Sequence, residues 1–258
     1  MIGDVVGEPG LEVLERRLPQ LIRENSADFV VVNGENAAGG FGLTAPALER
    51  ILAAGADVVS GGNHIFEQRE FWPVLDSEKR VLRPMNYPGN ESAGRGWVEL
   101  EKTCSDGRSV NWTVVNIQGR EFMTPLDCPF MAFNSLKVSL EKAIILVDFH
   151  AESSREKEAL AYYLDGKVTV LAGTHTHVQT ADERLLPNGS AYITDLGMTG
   201  VLDGVIGMDA KICQDRARSQ VLYRMEVSPG GKSAVQGIIV EIDGESRKAL
   251  SIQRFSLY

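Results

Sequence analysis

Val168-Thr169-Val170-Leu171-Ala172-Gly173-Thr174-His175-Thr176-His177 opens as an apolar, β-branched run and ends in a polar turn carrying two histidines. Short apolar runs bounded by small or polar residues read as strands. The same pattern recurs along the chain. Met1-Ile2-Gly3 leads into Asp4, and residues 29–32 lead into Asn33-Gly34-Glu35-Asn36. Residues 57–59 lead into Gly61-Gly62-Asn63-His64, and 144–149 into His150. Residues 109–117 form a longer run ending at Gln118-Gly119-Arg120, and 191–194 lead into Asp195.

Helical patterns separate several of these runs. Leu11, Leu14, Leu18, Leu21 and Ile22 make an apolar stripe at helical spacing. Pro19 interrupts it and predicts a kink or an early stop. Thr44 is placed to cap a helix through Leu52 that Gly55 closes. Ser153 and Glu156 have capping-box spacing and open a helix to about Leu164. Asp209 is placed to cap a short helix through Arg218. Residues 221–227, 233–242 and 249–257 then alternate or run apolar, split by Pro229-Gly230-Gly231 and Asp243-Gly244. These are hairpin features, so the C-terminal part is expected to be antiparallel β. The whole predicts a layered α/β fold, two sheets face to face with helices outside. No repeat, linker or domain boundary stands out, so residues 1–258 are expected to form a single domain.

The chain has 258 residues, enough to bury its own core, and 43% are hydrophobic and 24% charged, which excludes wholesale disorder. Its net charge of −9 repels nucleic-acid phosphate and anionic membranes at long range, so no stable nucleic-acid or membrane partner is expected. The apolar stretches are strand-sized, so neither a signal peptide nor a membrane span is expected. Cys104, Cys128 and Cys213 are odd in number and widely spaced, which reads as reduced thiols in a cytoplasmic protein. Only three residues precede Asp4, short for a buried first strand. The expectation is a natural start a few residues earlier, or a truncated one.

All four histidines stand just beyond apolar runs, as do Asp4, Glu35, Asn36 and Asn63. The carboxyl ends of strands are where sites assemble in open α/β sheets. His175 and His177 are two apart, and on extended chain they would point the same way as a pincer. One such histidine is more often a satisfied loop residue. Four of them, with carboxylate and amide neighbours, point to metal. An oxygen and nitrogen set without cysteine selects iron, manganese, zinc or similar ions. There are more donors than one tetrahedral ion needs, which argues for two metals.

Asp4, Gly34-Glu35-Asn36, Gly62-Asn63-His64, His150 and Gly173-Thr174-His175-Thr176-His177 resemble the ordered blocks of the calcineurin-like metallophosphoesterases. The first block there is usually Asp-x-His and the second usually bridges through Asp. Asp4-Val5-Val6 lacks the histidine, and Glu35 stands at the bridging position. Both departures are shared with YmdB-type bacterial phosphodiesterases. The chain is similar to these through Ile2-Gly3-Asp4-Val5-Val6-Gly7, Asn33-Gly34-Glu35-Asn36-Ala37-Ala38, Asp148-Phe149-His150-Ala151-Glu152, Tyr192-Ile193-Thr194-Asp195 and Gly207-Met208-Asp209.

The resemblance implies a four-layer α/β/β/α sandwich with two central mixed β-sheets, the metallophosphoesterase fold. It implies two metal ions, iron first with manganese and zinc as alternatives, and hydrolysis of small cyclic nucleotides, above all 2′,3′-cyclic ones such as 2′,3′-cyclic AMP. By motif match Asp4 and His177 hold one metal and Asn36, Asn63, His150 and His175 the other, with Glu35 bridging. His64 is the implied proton donor to the oxygen that leaves when a metal-bridged hydroxide attacks phosphorus.

Three weaker features carry bland readings. Gly39-Gly40-Phe41-Gly42 reads first as a turn, and Arg120 as a solvated cation. Asp148, Glu152 and Asp195 read as supports for the ligands or as structural residues. Two other functions stay open. A metal-dependent amidohydrolase also uses His-x-His, but normally on its first strand. A regulatory nucleotide-binding protein with little turnover needs the same ligands. Homo-oligomerisation is equally open.

Overall fold

The computed structural model describes residues 1–88, 92–136 and 143–258. In chain order the elements are β1 (Asp4–Val5), α1 (Gly7–Asn25), β2 (Val31–Asn33), α2 (Ala45–Ala53), β3 (Val58–Ser60), α3 (Trp72–Ser77), β4 (Trp97–Thr103), β5 (Ser109–Gln118), α4 (Pro129–Asn134), β6 (Ile144–His150), α5 (Ser154–Leu164), β7 (Val170–Thr174), β8 (Arg184–Leu185), β9 (Ala191–Ile193), β10 (Met198–Val201), α6 (Ala210–Ser219), β11 (Ser233–Ile242) and β12 (Ala249–Leu257). One mixed sheet has the order β4-β5-β6-β7-β9-β8. The other contains β1-β10-β11-β12 and the parallel pair β2-β3. Ile2 joins these by bridging Val32 in parallel and Gly237 in antiparallel sense.

The buried apolar residues sort into four clusters, and three of these define four layers. α1, α2 and α3 pack through Leu14, Leu18, Ile51 and Leu75 on Val5, Val32 and Val59 of the sheet that contains β1, β2 and β3. Val31, Val58, Trp112, Val114, Leu146, Val170 and Ile238 fill the space between the sheets. Leu160, Leu164 and Phe133 of α5 and α4 cover Ile145, Val147 and Phe149 of the sheet that contains β6. The α/β/β/α sandwich with two mixed sheets is therefore as expected.

Strand alternation explains where the site forms. In β6, Ile144 and Leu146 face the other sheet while Ile145, Val147 and Phe149 face the helices. Asp148 and His150 are in phase with Ile144 and Leu146. The same succession appears as Val31 then Asn33, Val58 then Ser60, Val114 then Asn116, and Ala172 then Thr174, every polar member buried. The inter-sheet layer is thus apolar along its length and turns polar at the strands' carboxyl ends. Buried polar groups have to be paired there, and that requirement builds the network described below.

Several local expectations need correction. α1 runs through Pro19 to Asn25, because Leu18 and Leu21 on either side of the proline are both buried against the sheet. Thr44 stands at the start of α2 but its side chain makes no capping bond; Pro46 in the first turn is compatible with that start. Ser153 does accept from Glu156 N, at 3.3 Å. The Glu156 carboxylate does not complete a capping box, however. It accepts the backbone N–H groups of Arg120 and Glu121 at 2.9 and 3.0 Å, tying the loop after β5 to α5. Asp209 caps α6 through Ile212 N at 2.9 Å, as expected.

Residues 221–227 are not a strand. The place beside β11 that they would fill is taken by β10, in register Thr199 to Val235. Leu222 is left 82% exposed, and only Val227 forms a bridge, to Met208. The β11–β12 hairpin forms over both expected runs, turning at Asp243-Gly244. Cys104, Cys128 and Cys213 are free. No helix among the described residues is long and apolar enough to cross a membrane.

Candidate metal centre

Asp4, Glu35, Asn36, Asn63, His150, His175 and His177 arrive from five chain segments and meet at one end of the inter-sheet layer. Glu35 Oε1 lies 2.9 Å from His150 Nε2. The same nitrogen is 2.9 Å from Asn63 Oδ1 and 3.1 Å from His175 Nδ1. Donor atoms of Glu35, His150 and His175 all lie within 4.8 Å of one another. On the other side, Asp4 Oδ1 is 3.9 Å from His177 Nε2 and 4.0 Å from His150 Nδ1. The Asn36 amide joins the halves, its Nδ2 being 3.3 Å from Glu35 Oε1 and 3.1 Å from His177 Nε2. Turning that amide over would present Oδ1 to the same neighbours.

The expected pincer on extended chain does not form. His175 and His177 have φ of 102° and 63°, so the backbone turns at both. Their rings consequently part, one to His150 and one to Asp4 and Asn36. The loop holding them is fixed from beneath by a buried ion pair. Lys157 Nζ donates to Asp195 Oδ2 at 2.7 Å, and this oxygen accepts from Thr176 N at 3.1 Å between the two histidines. Asp195 therefore supports the loop rather than entering the cluster. The closeness of Gly62 is obligatory: a Cβ there would collide with Glu35 Oε2 and the His150 ring.

Hydrogen bonds behind the rings select their tautomers. Thr174 Oγ1 donates to Asp148 Oδ1 at 2.6 Å, so it accepts from His150 Nδ1 at 2.9 Å. That leaves His150 Nε2 for the cluster. His177 Nδ1 donates to Ile206 O at 2.9 Å and leaves its Nε2 toward Asp4. Asp148 also accepts from Asn33 Nδ2 at 3.0 Å and from the Ser60 hydroxyl. Glu152 Oε2 contacts His175 Nε2 at 3.2 Å. Arg120 lends only its backbone, to Glu156. His64 sits at the edge: its backbone N–H donates to Glu35 Oε2 at 3.1 Å, while its ring turns to Glu67 Oε1 at 3.3 Å.

The charges are strained in a way a cation would relieve. Asp4 Oδ1 is buried and has no hydrogen-bond partner. Burial lifts the Asp4 carboxyl to about 7 against the pull of His177 and His150. Burial opposes ionisation of Glu35 as well, yet the charge and hydrogen bond of His150 hold it down to about 2. Burial disfavours the His150 cation, but Glu35 and Asp4 raise it to about 9. Burial and the His150 charge lower His175 to about 3. An orphaned carboxylate oxygen among imidazole lone pairs fits a bound metal ion, and the oxygen and nitrogen donors suit borderline metals.

A pH dependence follows for the metal-free protein. His150 binds its proton more tightly folded than unfolded, so its contribution to stability is full below about 6.5 and lost as the pH rises through about 9. Urea midpoints should fall from pH 6.5 to 9.5. Metal replaces the Nε2 proton, so saturation with metal should flatten that slope; an equal slope with and without metal would contradict it.

The model of the YmdB-like proteins matches residues 1–255. The chain belongs to the YmdB-like family. It is an enzyme, a metallophosphoesterase, in keeping with relatives on both sides. The 2′,3′-cyclic-nucleotide 2′-phosphodiesterase of Bacillus subtilis (strain 168) is 40% identical over 255 residues, 98% of this chain and 94% of the relative. A crystal structure described as a novel phosphatase of Mycoplasma pneumoniae has a TM-score of 0.91 at 31% identity, covering 99% of this chain and 91% of that one. The calcineurin-like phosphoesterase YfkN of Bacillus subtilis shares the fold at a TM-score of 0.56 and 14% identity, over 95% of this chain and 80% of its own.

The supporting residues were only partly foreseeable. Asn33, Ser60 and Thr174 lie in the same polar strand ends as the expected ligands, which was the available pattern. Lys157 is fully buried within α5, where a lysine would ordinarily be read as solvated. The Ile206 contact is a carbonyl, which no side-chain pattern announces. Gln118 pairs with His150 across β5 and β6, and both its amide atoms are buried without a partner.

Proposed function

We propose that the protein hydrolyses 2′,3′-cyclic nucleotides at a two-metal, iron-type centre held by Asp4, Glu35, Asn36, Asn63, His150, His175 and His177. The observation that carries this reading is the position of Glu35. Its carboxylate lies between the His150–His175–Asn63 donors and, through Asn36, the His177–Asp4 donors. One half would hold a metal through Asp4 and His177, the other through Asn36, Asn63, His150 and His175, with Glu35 shared. The substrate class is supported by the Bacillus subtilis relative, named for 2′,3′-cyclic nucleotides at 40% identity.

When bound, the two ions would supply Lewis-acid charge and a nucleophile active at neutral pH. The chain's own residues do the rest. Thr174 and Ile206 fix which nitrogens of His150 and His177 would face the metals. The Lys157–Asp195 pair holds the loop that carries His175 and His177. His64 would deliver a proton to the leaving ribose oxygen. Its Nδ1 is engaged by Glu67, which leaves Nε2 for that transfer, and its backbone bond to Glu35 keeps it beside the cluster. The unpaired cysteines and the acidic charge suit a reducing, cytoplasmic setting.

Metal analysis with anomalous scattering, together with turnover of 2′,3′-cyclic AMP, tests the reading. Two ions per chain at these seven residues and hydrolysis to a nucleoside monophosphate are expected. A single ion with Glu35 turned away, or no turnover by the metal-replete protein, would overturn it.

A further inference from the structure

Ile206 and Gly207 form the two-residue turn of a small hairpin. Val205 N donates to Met208 O at 3.0 Å, and Met208 N to Val205 O at 2.9 Å. Both turn residues have positive φ, 51° and 86°. Such a turn calls for asparagine, aspartate or glycine at its first position. Isoleucine is poorly suited, because a β-branched side chain at positive φ is crowded by its own backbone. Burial does not compensate: Ile206 is 45% exposed. Gly207 is the half of the turn that packs inward, since a Cβ there would press on Val6 and Met198.

The strained residue stands at the metal centre. Its carbonyl accepts from His177 Nδ1 at 2.9 Å, and the other nitrogen of that ring faces Asp4. The carbonyl accounts for the path of the backbone but not for the side chain, since every residue has a carbonyl. Beneath the turn, Met208 packs with Val6 and Met198, and Phe41 joins this cluster. The Phe41 ring in turn meets His64 edge-on at 5.0 Å. An apolar cluster therefore runs beneath the turn and, through Phe41, to His64, whereas the floor of the site is charged.

We propose that Ile206 is the apolar contact for the nucleobase of the substrate, an inference that rests on the cyclic-nucleotide reading above. A cyclic nucleotide has two dissimilar ends. The phosphate needs the charged floor, and the base offers a flat, weakly polar face that such a floor cannot hold. A bulky side chain kept half-exposed in an unfavourable backbone conformation is what a ligand clamp requires, since it gains its partner only on binding. Phe41, half-buried on the cluster beneath the turn and edge-on to His64, is a second apolar side chain on that side of the site.

The test replaces Ile206 with the residue the turn prefers. Ile206→Asn keeps the carbonyl and relieves the backbone. The thermal midpoint of the metal-free protein should rise by about 2–4 °C, with metal content unchanged. KM for 2′,3′-cyclic AMP should rise about tenfold with kcat little altered. KM for ribose 2,3-cyclic phosphate, which has no base, should stay the same. Ile206→Leu keeps the apolar bulk and should retain the parent KM. Ile206→Gly, which accepts positive φ freely, should repeat the KM result if the asparagine variant folds poorly. An unchanged KM for 2′,3′-cyclic AMP in the asparagine or glycine variant, or an equal rise for both substrates, rejects the subsite while the functional reading stands. Failure of the parent protein to hydrolyse either cyclic phosphate overturns that reading, and the subsite with it.

Discussion

Glu35→Gln is expected to strip the centre of metal and abolish turnover together. The amide is nearly isosteric, and its oxygen can still accept the His64 backbone N–H that now reaches Glu35 Oε2. The fold should therefore survive. What disappears is the negative charge in a fully buried position, which the charge and hydrogen bond of His150 keep ionised down to about 2. Residues one shell further out typically cost 10–100-fold in metal affinity, so a shared ligand should cost more than about a hundredfold. Equilibrium dialysis with iron or manganese, read beside turnover of 2′,3′-cyclic AMP, measures both losses. The metal-free variant gives a second reading, because His150 loses its carboxylate partner and the fall in stability toward pH 9 should shrink. Full retention of two ions with near-normal turnover would refute the bridging role.

What the sequence revealed and what it hid have separate physical causes. The strand ends were legible because one phase of each strand must be apolar between the sheets and the chain must turn polar where that layer stops. Val31 to Asn33, Leu146 to His150 and Ala172 to Thr174 each spell out this transition within three to five residues. Long β11 and β12 were legible for a related reason, since their turn is Asp243-Gly244 and both runs have partners in register.

The misjudged elements depend on competition, which local pattern does not record. Residues 221–227 look as strand-like as β11, but the edge they would need is occupied by β10. β10 itself, Met198–Val201, is only four residues long and contains a glycine, so its apolar content did not mark it out. Pro19 lacks an N–H, yet the burial of Leu18 and Leu21 outweighs the lost bond.

At the centre, the residue types were readable while their geometry was not. His175 and His177 are two apart, and spacing alone favours rings on one side. The structure turns the chain at both residues and sends the rings to opposite halves. Nothing in the motif encodes that turn directly. It depends on Thr176 N meeting Asp195, whose charge is balanced by Lys157 from a helix elsewhere in the chain. Long-range pairs of this kind are fixed only by the assembled fold.

His64→Ala should separate proton donation from metal binding. His64 contributes only its backbone N–H to Glu35, and that bond is independent of the side chain. The imidazole is partly exposed, touches Glu67 at 3.3 Å and meets Phe41 edge-on at 5.0 Å. Removal should accordingly leave metal content and thermal stability close to the parent. If the ring protonates the leaving alkoxide, kcat for 2′,3′-cyclic AMP should fall about 10²–10⁴-fold, because a ribose oxygen departs poorly without a proton. A nitrophenyl phosphodiester should lose far less, since nitrophenolate leaves unaided. The opposing expectation is that His64 serves as a further imidazole ligand. In that case metal content drops and both substrates slow alike. Assaying the two leaving groups on protein of known metal content decides the matter. Equal losses accompanied by depleted metal would assign the ring to the metal, whereas a loss confined to the alkoxide substrate on fully loaded protein would assign it to the proton.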